Sequence, residues 1–289
     1  MTGPPDGRAK RRVLRWAVLL FVVGAVVAVT FWPAPKRPSY EGKTVEQWLL
    51  QLDPNFARSA EHDRAWTALA RMGTNALPDL ERILGQRLNE RREWWKGWMI
   101  HLHLTKPDPL PPHERISRAT RAAYMLAERA KVDIRPLLPQ LTFHFTNANF
   151  AEFPRALANC GDEGISVLTN FLFTGHDALR NHAAYGLHFD FVKKKPQAIS
   201  ALLRAATTET NRILRANALN SLRGTGAPAE EVVPLALELL RSEDAYSRWQ
   251  AAGLLVDYRS TDEVDKALGA AANDSDERVR KAAARPVRR

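Results

Sequence analysis

Small and apolar residues recur along this chain at helical spacing. Leu179, Ala183, Ala184 and Leu187 form one template, Leu214, Ala218, Leu219 and Leu222 the next, and Ser247, Ala251, Ala252 and Leu255 a third. The spacing i, i+4, i+5, i+8 puts four side chains on one face of an α-helix and does not fit the two-residue period of a strand. The central doublet lets a neighbouring helix come close. It returns as Ala68-Leu69, Ala122-Ala123, Ala156-Leu157, Ala183-Ala184, Ala218-Leu219, Ala251-Ala252 and Ala283-Ala284, the last four separated by 35, 33 and 32 residues. A fixed period in this range specifies a stack of similar units in place of one closed core.

A second apolar stretch follows each doublet but the last after a polar or Gly-containing break: Ala76–Leu84, Ile134–Leu141, Ile165–Phe173, Ile199–Ala206, Val232–Leu240 and Val264–Ala272. Pro78, Pro136, Pro196, Pro228 and Pro234 cluster near these second helices, mostly in the first turn, where a missing N–H costs little. The predicted unit is helix–turn–helix, and neighbouring units must cover each other's apolar faces. The first interval is long, with about 20 extra residues between Ala68 and Ala122 beyond the usual period. The last doublet has no second helix after it, which makes a terminal half unit.

Arg180, Arg215, Arg248 and Arg280 each follow the first position of a stripe. They form either a basic stripe for an anionic ligand or a ladder of bonds to carboxylates and carbonyls running from unit to unit. Because the arginine repeats with the fold and sits beside buried positions, the ladder is the favoured reading.

The runs Val279-Arg280-Lys281-Ala282-Ala283-Ala284, Leu214-Arg215-Ala216-Asn217-Ala218-Leu219 and Ser247-Arg248-Trp249-Gln250-Ala251-Ala252 resemble the first helix of HEAT-type repeats. The resemblance covers roughly residues 60–287 and implies an α/α superhelix, a right-handed HEAT-like solenoid of the armadillo type. The period is shorter than the roughly 40–47 residues of standard HEAT units and closer to compact bacterial HEAT-like repeats. The segment Tyr40-Glu41-Gly42-Lys43-Thr44-Val45-Glu46-Gln47-Trp48-Leu49 also resembles the lead-in to HEAT repeats of some membrane-anchored bacterial proteins.

The N-terminus reads differently. Trp16 to Trp32 is 17 residues with only Gly24 and Thr30 as weak interruptions. With Val13 and Leu14 added and Arg15 snorkelling, the run approaches the roughly 30 Å of a bilayer core. Trp16, Phe31 and Trp32 fit interfacial belts, and Arg8, Lys10, Arg11, Arg12 and Arg15 place the N-terminus in the cytoplasm. A signal peptide cleaved near Val26-Val27-Ala28 is the rival reading; the apolar run continues past that point, which favours an uncleaved anchor. The expected fold is therefore all-α, one N-terminal transmembrane helix followed by the α/α superhelix. Its parts are a basic cytoplasmic tail at 1–12, the span at 13–32, a Pro-rich linker at 33–43 and a repeat domain at 44–289 with an insertion at about 88–113. The expected location is the cytoplasmic membrane, single-pass, with the repeats periplasmic or otherwise extracytoplasmic.

Charge changes this picture little. The net charge is +10 over 289 residues, but residues 1–43 carry eight basic and two acidic side chains. Most of the excess is thus a topology signal, and no nucleic-acid partner is expected. The single cysteine, Cys160, stands where other stripes have leucine and reads as a buried thiol. No Ser/His/Asp arrangement, His-Glu-x-x-His or Walker loop is present. His101, His103 and His113 lack partners at ligand spacing, so no metal or cofactor is expected.

The insertion holds the most distinctive residues. Three of eight tryptophans, Trp94, Trp95 and Trp98, fall within five positions, beside Arg91, Arg92 and Lys96. Trp94 and Trp98 share a helical face. These six residues are the candidate partner-binding set, since Trp and Arg favour protein hot spots. The structural alternative is a helix that packs on the solenoid and buries its tryptophans. The sequence supports a non-catalytic, membrane-tethered scaffold for a protein or peptide, bound along the concave face or at this insertion. The alternatives are an enzyme or accessory subunit of the kind found among HEAT-like bilin lyases, and a nucleic-acid binder like HEAT-like DNA glycosylases.

Overall fold

The computed structural model describes residues 37–52, 59–87, 90–147, 152–188, 192, 195–223, 225–259 and 261–286. The basic tail at 1–12 and the apolar run at 13–32 lie outside the described residues. Among the described residues, no helix is long and apolar enough to cross a membrane. The chain divides into two units, Met1–Arg37 and Pro38–Arg289.

The second unit opens on a small antiparallel hairpin, β1 (Ser39–Tyr40) and β2 (Lys43–Thr44), with Ser39 opposite Thr44 and Tyr40 opposite Lys43. Glu41 and Gly42 both take positive φ, as the tightest hairpin turn requires. Thr44 then caps α1 (Val45–Gln51) in a reciprocal box. Its hydroxyl accepts the Gln47 N–H, and the Gln47 side chain accepts the Thr44 N–H at 2.8 Å. Trp48 is fully buried, and its indole N–H donates to the Tyr40 carbonyl at 3.2 Å.

Helix α2 (Ala60–Met72) and α3 (Leu77–Leu84) form the first pair, joined by a 3-10 turn at Gly73–Ala76. Helix α4 (Glu90–His101) interrupts the series. Pairing resumes with α5 (Pro112–Ala130) and α6 (Leu138–Asn147), the latter preceded by a 3-10 turn at Arg135–Leu137. Then come α7 (Glu152–Ala158) with α8 (Gly161–Thr174) and α9 (Asp177–Gly186) with α10 (Pro196–Thr208). Next are α11 (Arg212–Ser221) with α12 (Ala229–Leu240) and α13 (Ala245–Leu255) with α14 (Asp262–Ala271). Helix α15 (Glu277–Ala283) closes the described series. Side-chain caps start many of these helices: Ser59, Asn211, Asp244, Thr261 and Asp276 each accept a first-turn N–H.

The helices stack serially in two layers. First helices pack on first helices, α2 on α5, then α7, α9, α11, α13 and α15 in turn. Second helices do the same, α3 on α6, and α8 on α10, α12 and α14; the turn before α6 packs on α8. The doublets lie in the first layer and are buried from Ala68 through Ala283, while Ala284 is exposed because no described helix follows to cover it.

The four periodic arginines form the internal ladder. Arg180 donates to the Leu172 carbonyl at 3.0 Å and pairs with Glu209. Arg215 donates to the Ala206 carbonyl at 2.9 Å and pairs with Glu238. Arg248 grips both oxygens of Asp274 at 2.8 and 3.0 Å and the carbonyls of Ser242 and Glu243. Arg280 takes the carbonyls of Asp274 and Ser275. Arg180 and Arg215 thus satisfy carbonyls in the last turn of the preceding second helix, which the helix itself leaves open at its negative dipole end, while Arg248 and Arg280 take carbonyls of the loop that follows it. Three of the four also bind a carboxylate of their own unit. These arginines hold units in register and leave no basic stripe for an anionic ligand.

Candidate functional site

The candidate set at the insertion lies on α4. Trp94, Trp95 and Trp98 are 69%, 52% and 45% exposed, so the alternative of a packed helix with buried tryptophans does not hold. Their rings form a loose tilted row, with centroids 6.5 Å apart at 40° for Trp94 and Trp95 and 5.1 Å apart at 31° for Trp95 and Trp98. Arg91 and Arg92 belong to the first turn of the same helix. Lys96 is half-buried and bonds Glu93 at 3.1 Å. Lys96, with Gly97 and Ile100, faces the proline-rich segment at 105–112 across a cleft of about 620 Å³. The helix therefore has a protein-facing side and a tryptophan side. Beyond it, His101 ends the helix and His103 sits in a turn with positive φ. Among the described residues, no group of three or more His, Cys, Asp or Glu side chains is placed to hold a metal ion.

Cys160 lies between α7 and α8 and is fully buried, with its sulfur 3.5 Å from the Ala156 carbonyl and 3.8 Å from that of Ile134. Burial, with Asp133 and Glu163 adding to it, pushes the thiol up to about 12. At neutral pH it should hold on the order of a thousandfold less thiolate than a free cysteine. An aromatic disulfide reagent is expected to label Cys160 only when the chain is denatured; rapid labelling of the native protein would contradict this placement.

A second site was not singled out by sequence reasoning. Three first helices, α2, α5 and α7, frame a groove of about 330 Å³ lined by His62, Asp63, Trp66, Tyr124, Glu128 and Arg155, among others. Arg155 and Glu128 form two parallel bonds of 2.6 Å, and Asn159 adds a third to Glu128 at 3.2 Å. The Arg155 guanidinium lies 4.7 Å from the Tyr124 ring centroid, and Arg129 lies 5.6 Å from that of Trp66. Burial raises the Tyr124 phenol above its ordinary value against the pull of Arg155 and Arg121. Tyr124 is buried beneath Arg155 and Trp66 is half-buried, so the groove offers oriented charge beside the Trp66 ring.

The register continues down the stack. The residue before each doublet is Thr67, Arg121, Arg155, His182, Asn217 and Gln250 in successive units. Among them, Asn217 donates to Asn181 at 2.9 Å and accepts from the Tyr246 hydroxyl, to which Gln250 donates at 2.9 Å. A polar residue at this one position of the first six stripes was the available sequence signal. It ends at Ala282, which is buried.

Residues 199–287 match the family model for HEAT repeats. No curated protein is significantly similar to the chain in sequence. Among solved structures, an engineered protein is 20% identical with a TM-score of 0.39; the alignment covers 83% of this chain and 66% of that one. A designed armadillo repeat protein in complex with the peptide (KR)4 is 14% identical with a TM-score of 0.35, covering 83% of this chain and 97% of that one. The serial two-layer stacking of helix pairs makes the fold an α-solenoid, and its last units match HEAT repeats.

Proposed function

We propose that the chain is a non-catalytic scaffold, tethered to the cytoplasmic membrane by residues 13–32, whose repeats hold a protein or peptide partner on the extracytoplasmic side. The observation that carries the binding part is the groove of α2, α5 and α7. It sets Trp66 and Arg155, residue types that dominate protein hot spots, over the buried Tyr124 on a wall built from three consecutive units. The basic residues before the apolar run support the orientation.

Photocrosslinking in native membranes tests this reading. With benzoylphenylalanine in place of Trp66 or the exposed Asp63 in the full chain, both positions should yield the same discrete adduct. It should disappear with Arg155→Glu in a chain whose melting is unchanged, and should not form from Ile213, which is exposed elsewhere. Equal adducts at Ile213, or adducts indifferent to Arg155→Glu, would overturn the groove as the binding surface. Alkaline phosphatase fused after Arg289 should be active; an inactive fusion would reverse the orientation.

A further inference from the structure

We propose that the tryptophan face of α4 seats in the interfacial layer of a membrane that carries anionic lipid. Trp94, Trp95, Trp98, Leu102 and Leu104 are exposed within eleven residues, whereas the other large exposed side chains among the described residues, Leu50, Phe143, Tyr185 and Ile213, are widely separated in sequence. Single exposed hydrophobics need no explanation; a concentration of them marks a contact surface. Indole is the side chain most at home at the headgroup level, where its ring meets acyl chain and its N–H meets water and phosphate.

Charge points the same way. Residues 87–106 contain five basic side chains (Arg87, Arg91, Arg92, Lys96, Lys106) and two acidic ones (Glu90, Glu93), a net of +3. An aromatic helix in a cationic segment suits a negatively charged leaflet. The helix also has the right sidedness, since Glu93, Lys96, Gly97 and Ile100 face the protein's own proline-rich segment. That leaves the tryptophan side to lie flat on a surface. Rings tilted 40° and 31° to their neighbours form no flat platform for a complementary protein surface, and a fluid interface accepts them without shape matching.

The test uses the full chain with vesicles of phosphatidylcholine, alone or mixed with phosphatidylglycerol, made with and without brominated acyl chains. The difference in fluorescence between the native chain and the variant Trp94→Phe/Trp95→Phe/Trp98→Phe isolates the three indoles. Brominated mixed vesicles should quench that difference roughly twofold or more, with weaker quenching in phosphatidylcholine alone. An unquenched difference signal, still fully open to aqueous acrylamide, would overturn the proposal, as would a protein adduct formed from a photoreactive residue at Trp95 in place of lipid contact. Carbonate-resistant flotation reports the tether separately. If it fails, salt-sensitive flotation that is lost in Trp94→Ser/Trp95→Ser/Trp98→Ser would still support the α4 contact. Unchanged melting of the variants excludes misfolding as the cause.

Discussion

Gly164→Ala is expected to destabilise the repeat domain by about 3 kcal/mol or more, although it adds one methyl group to a helix. A Cβ at Gly164 would lie 1.8 Å from the Leu157 carbonyl oxygen, 2.8 Å from its carbon and 2.9 Å from the Cys160 Cβ. Helix α8 crosses the end of α7 backbone to backbone at this point. The obstacle is a main-chain carbonyl, which no rotamer change can move aside. That carbonyl also accepts the Cys160 N–H at 2.8 Å, so moving it breaks the turn that joins the two helices. Ordinary overpacking costs about 1–3 kcal/mol where side chains can adjust, and here they cannot. Gly97 and Gly269 are the controls, because a Cβ there meets nothing within 4 Å. Alanine at either should stabilise its helix by about 0.5–1 kcal/mol. Chemical denaturation of the three variants would decide the matter. The thiol of Cys160, beside the forced contact, should also become reactive in native Gly164→Ala. A Gly164→Ala midpoint no lower than that of Gly269→Ala would contradict the close approach.

The contrast between these glycines marks how far the sequence could be read. Periodicity located the helix pairs because a stripe such as Leu214, Ala218, Leu219 and Leu222 has only one helical face to bury, and the fold buries it. The arginine ladder was legible for a related reason. A guanidinium that recurs one residue from a buried position must find partners that recur too, and the last turn of each preceding second helix, or the loop just after it, supplies the carbonyls. Cys160 followed from its place in the stripe. The role of Gly164 was hidden, because it depends on where the Leu157 carbonyl points in three dimensions.

The groove was hidden for another reason. His62, Tyr124 and Arg155 are separated by 62 and 31 residues, and they meet only because α2, α5 and α7 are consecutive first helices despite the insertion between the first two. Trp94 and Trp98 were visible as a pair on one face, yet spacing alone does not say whether that face turns inward. The structure turns it outward because the opposite side of α4 faces the proline-rich segment. The apolar run at 13–32 lies outside the described residues, so the tether still rests on its length, its aromatic ends and its basic flank.

Trp48→Ala should cost about 3–5 kcal/mol, the usual range for deleting a buried aromatic ring, and the loss should be uneven along the chain. Trp48 is fully buried on α1, the helix that covers the open side of α2, α3 and α5. Its N–H ties α1 to the hairpin through Tyr40, and the Lys43 ammonium lies 4.5 Å from the ring centroid. From the other side, Arg118 on α5 donates to the carbonyls of Leu49 and Leu50 at 3.0 and 2.9 Å and closes the end of the same helix. The ring therefore anchors a cap for the first unit. Solenoid units draw their stability from their neighbours, so a lost cap should fray the stack from that end. Hydrogen exchange should show α2 and α3 opening at much lower free energy in Trp48→Ala while α11 and α13 keep native protection. Trp48→Phe retains most of the apolar surface but leaves the Tyr40 carbonyl without its indole donor, and should cost about 1–3 kcal/mol. Uniform loss of protection from α2 to α15 would show one cooperative block in place of serial units, and would contradict the assignment of α1 as a cap.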